Sequence, residues 1–322
     1  MSRIPFQTFA RLGLTLSALG LALSGCGGPG PQVGDAVVFP EPGTNVETAS
    51  PKAAGTTDGS TAGTSTGTTA GTGSTSTATT ASPSSPVKAE GWGTLKGQIT
   101  FSGEAPSPKV LQEKGKAEKD QEFCAVDAPI VSEALVVDGV TKGIKNVLVY
   151  LSKPTVVNED ARKAALAAAP VFDQAKCIFE PHVLALMVDE PMTLRSSDRT
   201  NHNVNVMLKN NTFNQTISPG ESRPFTPTDA ERTPGPVVCN IHRWMQAYWM
   251  VLDHPYFAVT DAKGNFEIKN VPAGTQKLVV WQESVSGPGF VTAPSGDDIV
   301  IKAGETVSKD FKIDASRVRA AQ

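Results

Sequence analysis

The pattern of apolar and polar positions after about residue 91 is that of short β-strands. Residues 95–101 alternate apolar and polar side chains, whereas residues 147–151 form a continuous apolar run, VLVYL. Alternation is typical of a strand with one buried face. A short apolar run between turn residues is typical of a strand that is buried on both faces.

The same two patterns predict further strands up to residue 313. These strands cover residues 183–187, 192–195, 204–208, 236–239, 247–252, 257–260, 266–268, 277–281, 299–302 and 307–313. One stretch, residues 159–169, is rich in alanine and stops at Pro170, which predicts a short surface helix between strands. The sequence therefore predicts an all-β architecture.

The first 25 residues have the pattern of a secretory signal peptide. Arg3 and Arg11 precede the apolar run of residues 12–23, which is too short to span a bilayer as a stable anchor. The run ends in LSGC, which resembles a lipobox, so we expect Cys26 to be lipidated. The alternative is a plain signal peptide with an incidental cysteine. Because Gly27 rather than aspartate follows, we expect an outer-membrane location in a host with two membranes.

Residues 26–90 are predicted to be a disordered tether. Residues 55–86 are almost entirely Thr, Gly, Ser and Ala with a few Pro. Such a composition cannot bury enough apolar surface to offset the entropy of the chain. The formal net charge of the whole sequence is -3, and no basic stripe occurs, so nucleic acid is not an expected partner. About 230 residues remain after the tether, enough for one sizeable core or two small domains.

Residues 235–245, GPVVCNIHRWM, carry the strongest chemical signal. Cys239, His242 and Met245 have C-x2-H-x2-M spacing directly after an apolar run, and His202 lies at the start of another predicted strand. Two histidines, one cysteine and a weak axial methionine make an electron-transfer copper site. We therefore predict one type 1 copper held by these four residues. Met250 is the rival axial ligand.

The surrounding residues resemble known copper proteins. Residues 181–251 resemble the cupredoxins, the CNIHRWM run is similar in spacing to the ligand loop of amicyanin, and His202-Asn203 resembles the upstream ligand strand of plastocyanins. There, the asparagine steadies the thiolate loop. The runs CIFEPHV and DHPYFAVTDAKGNFEIKNVPAG also resemble a group of secreted bacterial copper-type lipoproteins. The resemblance implies a cupredoxin-like Greek-key sandwich over residues 171–253.

A second resemblance concerns the flanking residues. TDAKGNFEI at residues 260–268 and VPAG at residues 271–274 are similar to the turns that bracket a strand in the carboxypeptidase regulatory-like, transthyretin-type sandwich. In that family two strands precede this hairpin, and residues 93–101 and 146–151 fit their places. The resemblance implies a discontinuous second sandwich formed by residues 91–157 and 254–314.

The four cysteines cannot all be paired with one another if one is lipidated. With Cys26 assigned to lipid and Cys239 to copper, Cys124 and Cys177 are left to form a disulfide, as expected in an oxidising compartment. The rival is a disulfide that uses Cys239 and removes the copper site. Of the other histidines, His182 is interpreted as structural more readily than as a ligand, and His254 as a turn residue.

These features predict a membrane-tethered carrier of single electrons between redox partner proteins in the cell envelope. Only four histidines are present, which is too few for the second copper centre of an oxidase or nitrite reductase. No arrangement of residues typical of a hydrolase occurs either. The chain is therefore not predicted to be an enzyme. His242 is expected to bring its outer ring edge near the surface as the electron exit. The alternative is a cell-surface binding or structural β-sandwich whose copper site is vestigial or handles copper. A third hypothesis is copper storage or delivery, but storage would be expected to add Met-rich or His-rich tracts, and the sequence has none.

Overall fold

The computed structural model describes residues 90–319. The predicted signal peptide, the lipidation of Cys26 and nearly all of the predicted tether lie outside the described residues. Within residues 90–319, no helix is both long enough and apolar enough to cross a membrane.

β-Strands make up most of the described chain, as the apolar pattern predicts, and the predicted all-β fold is confirmed. In chain order the strands are β1 (Trp92–Ser102), β2 (Val110–Gln112), β3 (Ile130–Val131), β4 (Val136–Val137), β5 (Ile144–Lys145), β6 (Leu148–Leu151), β7 (Val171–Ala175), β8 (Ile178–Glu180), β9 (Val183–Met187), β10 (Met192–Ser196), β11 (His202–Met207), β12 (Thr212–Ile217), β13 (Ser222–Phe225), β14 (Gly235–Val238), β15 (Gln246–Leu252), β16 (Phe257–Val259), β17 (Asn265–Pro272), β18 (Gly274–Trp281), β19 (Asp297–Ile301), β20 (Thr306–Ser308) and β21 (Phe311–Asp314).

One α-helix, α1 (Glu159–Leu166), interrupts the strands of the described chain, and a 3-10 helix, Ala315–Arg317, follows the last strand. The helix begins where the Asn158 side chain accepts a hydrogen bond from the Ala161 N–H at 2.9 Å. It buries no residue, in agreement with the predicted surface helix, and it ends before the predicted end at residue 169.

Four sheets form most of the fold. The first has the strand order β13-β10-β7-β8, the second β12-β11-β14-β15-β9 and the third β16-β6-β18-β19, while the fourth joins β17, β1, β20 and β21. Clusters of buried side chains from neighbouring sheets show that the sheets pack in this order, face to face. The described chain is therefore two β-sandwiches stacked on each other.

The first buried cluster lies between the first and second sheets. It includes Phe172 and Leu194 from the first sheet and Val204 and Trp249 from the second. The rings of Phe172 and Trp249 meet edge to face, with centroids 4.9 Å apart. Residues that precede position 157 also join this cluster, namely Ala117, Cys124, Ala125 and Ile130. The predicted domain boundaries, at residues 91–157 with 254–314 and at residues 171–253, stay a prediction.

The other two clusters explain why some strands lack alternation. One lies between the third and fourth sheets and includes Leu95, Val149 and Val280. The other, which we call the shared layer, lies between the second and third sheets and contains Leu148, Tyr150, Val183, Ala185, Met250, Leu252, Val279 and Trp281. Every residue of β6 and β9 is buried, because both strands have covered faces. Their continuous apolar runs follow from that position, because neither face of these strands contacts water.

Several strands were missed by the sequence patterns. They are β7, β8, β12 and β13 and the short strands β2 to β5. Strand β12, TFNQTI, ends its sheet and buries only Ile217, so it carries no apolar period to detect. The predicted strand over residues 307–313 is instead two strands, β20 and β21, both paired with β1.

Two backbones approach each other closely at the break between β20 and β21. A Cβ atom added at Gly97 of β1 would lie 1.9 Å from the Lys309 carbonyl oxygen. Replacing Gly97 by alanine should therefore force β1 and residue 309 apart and lower the free energy of unfolding by about 1 to 3 kcal/mol. Urea unfolding followed by circular dichroism measures the change in midpoint.

Gly139 provides the matched control for this substitution. A Cβ atom there meets nothing within 4 Å, so Gly139→Ala should change stability by no more than about 0.5 kcal/mol. Equal unfolding midpoints for the two variants would contradict the close approach.

Candidate metal centre

The four predicted copper ligands are placed by three adjacent strands of the second sheet. His202 is the first residue of β11, Cys239 directly follows β14, and Met245 directly precedes β15. Strand β14 pairs with β11 on one side and β15 on the other. The loop between Cys239 and Met245 is closed by hydrogen bonds from the Cys239 N–H to the Met245 carbonyl at 3.2 Å and from the Met245 N–H to the His242 carbonyl at 2.9 Å.

Three of the four side chains meet at one buried point. One donor atom from each of His202, Cys239 and His242 lies within 4.8 Å of the others. The Cys239 Sγ is 3.8 Å from the His242 Nδ1, and the two imidazole centroids are 4.6 Å apart. His202 and His242 are completely buried and Cys239 is 1% exposed. The donors are therefore close enough to share one ion.

The structure also separates the two methionines that the sequence left as rivals. Met245 is 1% exposed and belongs to the same buried cluster as Cys239. Met250 lies in the shared layer with Leu148 and Tyr150. Met245 therefore lies on the side of the predicted centre, while Met250 packs between the two sandwiches. The axial role of Met245 stays a prediction.

His202 has the orientation of a ligand held ready for a metal. Its Nε2 lies 2.8 Å from Asp198 Oδ2, whereas its buried Nδ1 has no hydrogen-bond partner among the described residues. A buried ring nitrogen without a partner is costly, and metal-binding histidines commonly use the second nitrogen to contact a carboxylate. The free nitrogen of His202 and the soft donor set fit a copper ion.

The Cys239 sulfur is prepared to carry negative charge. It accepts hydrogen bonds from the backbone N–H groups of Asn203 and His242, both at 3.3 Å. Burial opposes ionisation, but contacts with His202 and His242 and these N–H groups lower the pKa of Cys239 to about 6. The Asn203 side chain also accepts the Asn240 N–H at 3.3 Å, which fixes the loop behind the sulfur, the role that the plastocyanin resemblance implies for it.

In the metal-free protein, the pKa values of His202 and Cys239 are shifted in the directions that favour an ion pair of imidazolium and thiolate. Burial disfavours the imidazolium, but the Asp198 hydrogen bond and the neighbouring sulfur raise the pKa of His202 to about 9. Between about pH 6 and pH 9 the pair therefore holds a thiolate and an imidazolium. A metal ion that binds both side chains must displace the proton from His202.

The expectation that His242 presents its ring edge near the surface is wrong. His242 is fully buried, and its Nε2 lies 2.7 Å from Asp120 Oδ2. The Asp120 side chain is itself only 30% exposed. Burial opposes ionisation of this carboxyl, but hydrogen bonds with Thr200 and His242 lower its pKa. Asp120 thus closes the path from the His242 ring to solvent.

A disulfide lies between the two carboxylates that contact the histidines. Cys124 and Cys177 are bonded, with Cα atoms 5.5 Å apart. The Cys124 N–H donates to the Asp120 carbonyl, and the Cys177 N–H donates to Asp198 Oδ2, each at 2.8 Å. Cys177, Asp198 and His202 also lie at metal-binding distances. Because the Cys177 sulfur is in the disulfide, that second group has no thiolate to offer.

The other two histidines lie away from the centre. His182 Nε2 is 2.5 Å from Glu283 Oε1, in keeping with its structural interpretation. His254 is buried and stacks on Tyr256 with centroids 5.6 Å apart, and burial lowers its pKa. The sequence did not lead us to predict Asp120 and Asp198 as parts of the centre. Asp198 lies four residues before His202, and this short interval is a signal that indicates Asp198.

Comparisons with known proteins give partial likenesses. Residues 242–309 match a family described as polysaccharide lyase family 4, domain II, which differs from the carboxypeptidase regulatory-like family expected for this part. That expectation stays a prediction. No curated protein sequence matches the chain.

Structural likenesses lie among copper proteins. The chain is similar to a Cu-containing nitrite reductase from Thermus scotoductus, with 19% identity, a TM-score of 0.24 and coverage of 25% of this chain and 21% of the reductase. It is similar to a point mutant of amicyanin, with 21% identity, a TM-score of 0.23 and coverage of 26% and 83%. It is also similar to a purple cupredoxin from Nitrosopumilus maritimus, with 17% identity, a TM-score of 0.22 and coverage of 26% and 98%. The matched part thus spans about a fifth of the nitrite reductase.

The ion pair at the centre generates a pH prediction for the metal-free protein. Ultraviolet absorbance of the Cys239 thiolate should increase with a midpoint near pH 6, because that is where its lowered pKa lies. The contribution of the thiolate is the absorbance of the native protein minus the absorbance of Cys239→Ser at the same pH. Asp198→Asn should move the midpoint upward, since the imidazolium loses its carboxylate. A native midpoint near the ordinary value of 9.0 would contradict the ion pair.

The contact between Asp120 and His242 generates a second prediction. Replacing Asp120 by asparagine keeps the size of the side chain but removes the charge that supports the imidazole. We expect the affinity for Cu(II) to fall by about 10- to 100-fold, as for other carboxylates behind metal-bound histidines. Competition with a copper chelator measures the affinity.

Asp127 is the control for that variant, because it is exposed and lies in the same part of the chain. Asp127→Asn should leave the affinity unchanged. If both variants bind copper like the native protein, Asp120 does not support the ligand.

Proposed function

We propose that this chain is a type 1 copper protein that transfers single electrons in the cell envelope. The observation that carries the proposal is the meeting of two imidazoles and a cysteine sulfur at one buried point, with a free and buried Nδ1 on His202. The sulfur and the imidazoles together suit both oxidation states of copper. Bound copper would supply reversible one-electron chemistry.

The residues around the centre support that role by holding the donors still. The Cys239 sulfur receives two backbone N–H groups, and each histidine is fixed by a carboxylate. All three donors stand at the ends of paired strands or in the short loop that joins them. Donors that are already in place need little rearrangement when the charge of a bound ion changes, which favours electron transfer over storage or release.

The cellular setting belongs to the same proposal. We infer a lipid anchor at Cys26, a tether over residues 26–90 and redox partner proteins in the envelope, from the signal-like and low-complexity sequence at the start of the chain. No enzymatic activity is proposed. Because Asp120 covers His242, the proposed partners exchange electrons without direct access to that ring.

A second candidate function is a binding module at the cell surface. The match of residues 242–309 to a domain of polysaccharide lyases favours it, since this range includes β15 to β20 and so most strands of the second sandwich. In that case the second sandwich would bind polysaccharide and the buried centre would serve copper handling or no metal at all. Sedimentation of the protein with insoluble polysaccharide, with and without copper, separates this candidate from the electron carrier.

The copper spectrum tests the electron-transfer proposal directly. The full-length protein with Cu(II) should be intensely coloured by charge transfer from the Cys239 thiolate, and a mild reductant should bleach the colour reversibly. Cys239→Ser should abolish the colour and His202→Ala should weaken copper binding. Met245→Leu should keep the colour and shift the reduction potential, because a weak axial contact tunes it.

Met207→Leu is the matched control for the axial ligand, since Met207 is 56% exposed and is the last residue of β11, the strand that begins at His202. It should leave both colour and potential unchanged. A colourless Cu(II) adduct, or a spectrum that stays the same in Cys239→Ser, would leave the surface-binding module as the better account.

A further inference from the structure

A cavity of about 310 Å³ lies between the two sandwiches, beside the candidate metal centre. Trp244 and Met245 form part of its wall on the side of the first sandwich, and Leu135, Glu283 and Ser284 line it from the chain of the second. Its volume is at the lower end of the range of small-molecule sites, about 300 to 1,000 Å³. That volume suits a ligand with a single ring.

The charges of the cavity favour an anion. Its two carboxylates already contact other basic side chains: Glu283 lies 2.5 Å from His182, and Glu133 lies 3.5 Å from Lys145. Three cations, Lys109, Arg243 and Arg319, also line it. Within residues 90–319 none of these three has a carboxylate partner within 4.0 Å. Unpaired positive charge therefore remains at the cavity.

Arg319 is held in place at the cavity, although its charge is not neutralised. Its guanidinium donates a hydrogen bond to the backbone carbonyl of Glu283. Arg243 is exposed and lies between two residues whose positions are fixed, His242 and Trp244. Guanidinium groups pair well with carboxylates through two parallel hydrogen bonds. A carboxylate is thus the anion that suits these two side chains.

The walls favour an aromatic body on that carboxylate. Trp244 and Tyr248 are half-buried and line the cavity, together with Phe179 and Leu111. The Trp244 ring is fixed by a hydrogen bond from its Nε1 to the Cys177 carbonyl at 3.0 Å, and the Tyr248 hydroxyl accepts a hydrogen bond from Gln246 at 2.6 Å. Two fixed aromatic side chains offer faces and edges to a planar ring.

We propose that this cavity is a binding site for a small aromatic carboxylate. The ring lies against Trp244 and Tyr248, and the carboxylate pairs with Arg243 and Arg319. The site goes beyond the proposed electron transfer and needs no copper. Because Met245 and Trp244 form its wall, and the Trp244 ring lies 5.0 Å from the His242 ring, an occupant touches residues of the metal centre.

Calorimetric titration of the metal-free, full-length protein with three probes of one shape tests the proposal. Benzoate, benzamide and benzamidine share a ring and differ in charge. Benzoate should bind with a dissociation constant of about 1 mM or tighter, a modest value for so small a ligand. Benzamide should bind more weakly and benzamidine not at all. Acetate, which keeps the carboxylate but lacks the ring, should bind at least about tenfold more weakly than benzoate.

Variants locate the site on the protein. Arg243→Gln and Arg319→Gln should each weaken benzoate binding by about tenfold, the loss expected for a charge-assisted hydrogen bond. Arg232→Gln is the control, because Arg232 is exposed and does not line the cavity. Unfolding midpoints of all three variants verify that the fold is kept.

Three results would overturn the proposal. They are the absence of benzoate binding up to about 10 mM, benzamidine binding as tightly as benzoate, and equal loss of binding in Arg232→Gln and Arg243→Gln. Because the titration uses metal-free protein, its outcome is separate from that of the copper spectrum.

Discussion

The burial of Cys239 between two imidazoles is the constraint that shapes its surroundings. A thiolate and a ring nitrogen out of contact with water are costly unless each has a partner. Here the sulfur takes two backbone N–H groups, and the outer nitrogens of both histidines take carboxylates. The inner nitrogen of His202 remains without a partner, and it belongs to the group of donors that lie within 4.8 Å of one another. Everything else around the centre serves to keep that arrangement in place.

The second constraint is how far apart in the chain the supporting groups lie. Asp120 is separated from His242 by 122 positions and belongs to a region with only short strands. It is fixed by its own backbone hydrogen bond from Cys124, whose disulfide leads to Cys177 and so to Asp198. The disulfide therefore helps to position both aspartates that contact the histidines, because each aspartate accepts a hydrogen bond from one of its two cysteines.

The four ligands could be proposed from the sequence because three of them are close in the chain. The spacing of Cys239, His242 and Met245 is a local pattern, and the fourth residue, His202, starts a strand with a recognisable apolar period. Strand β9 was predicted with its observed bounds, Val183–Met187, because a strand covered on both faces is a continuous apolar run. The polar strand β12 has no such run.

The covering of His242 could not be foreseen in the same way. Nothing in the composition near Asp120 distinguishes it from other acidic residues in loops; its position follows from tertiary contacts alone. The position of His242 in the loop between Cys239 and Met245 led us to expect its ring edge near the surface, and the structure shows a carboxylate against that edge instead. The local motif and His202 thus predicted three side chains that the structure brings together, and the packing of distant segments decided what surrounds them.

The shared layer makes the two sandwiches dependent on each other. Tyr150, Val183, Met250 and Trp281 meet there across the second and third sheets, each nearly inaccessible to water. Had either sandwich ever existed alone, it would have exposed this apolar face, and surfaces of that kind drive aggregation. Each sandwich therefore depends on the other to keep this layer away from water. A chain cut down to residues 171–253 would carry Val183, Ala185, Met250 and Leu252 without the side chains that cover them.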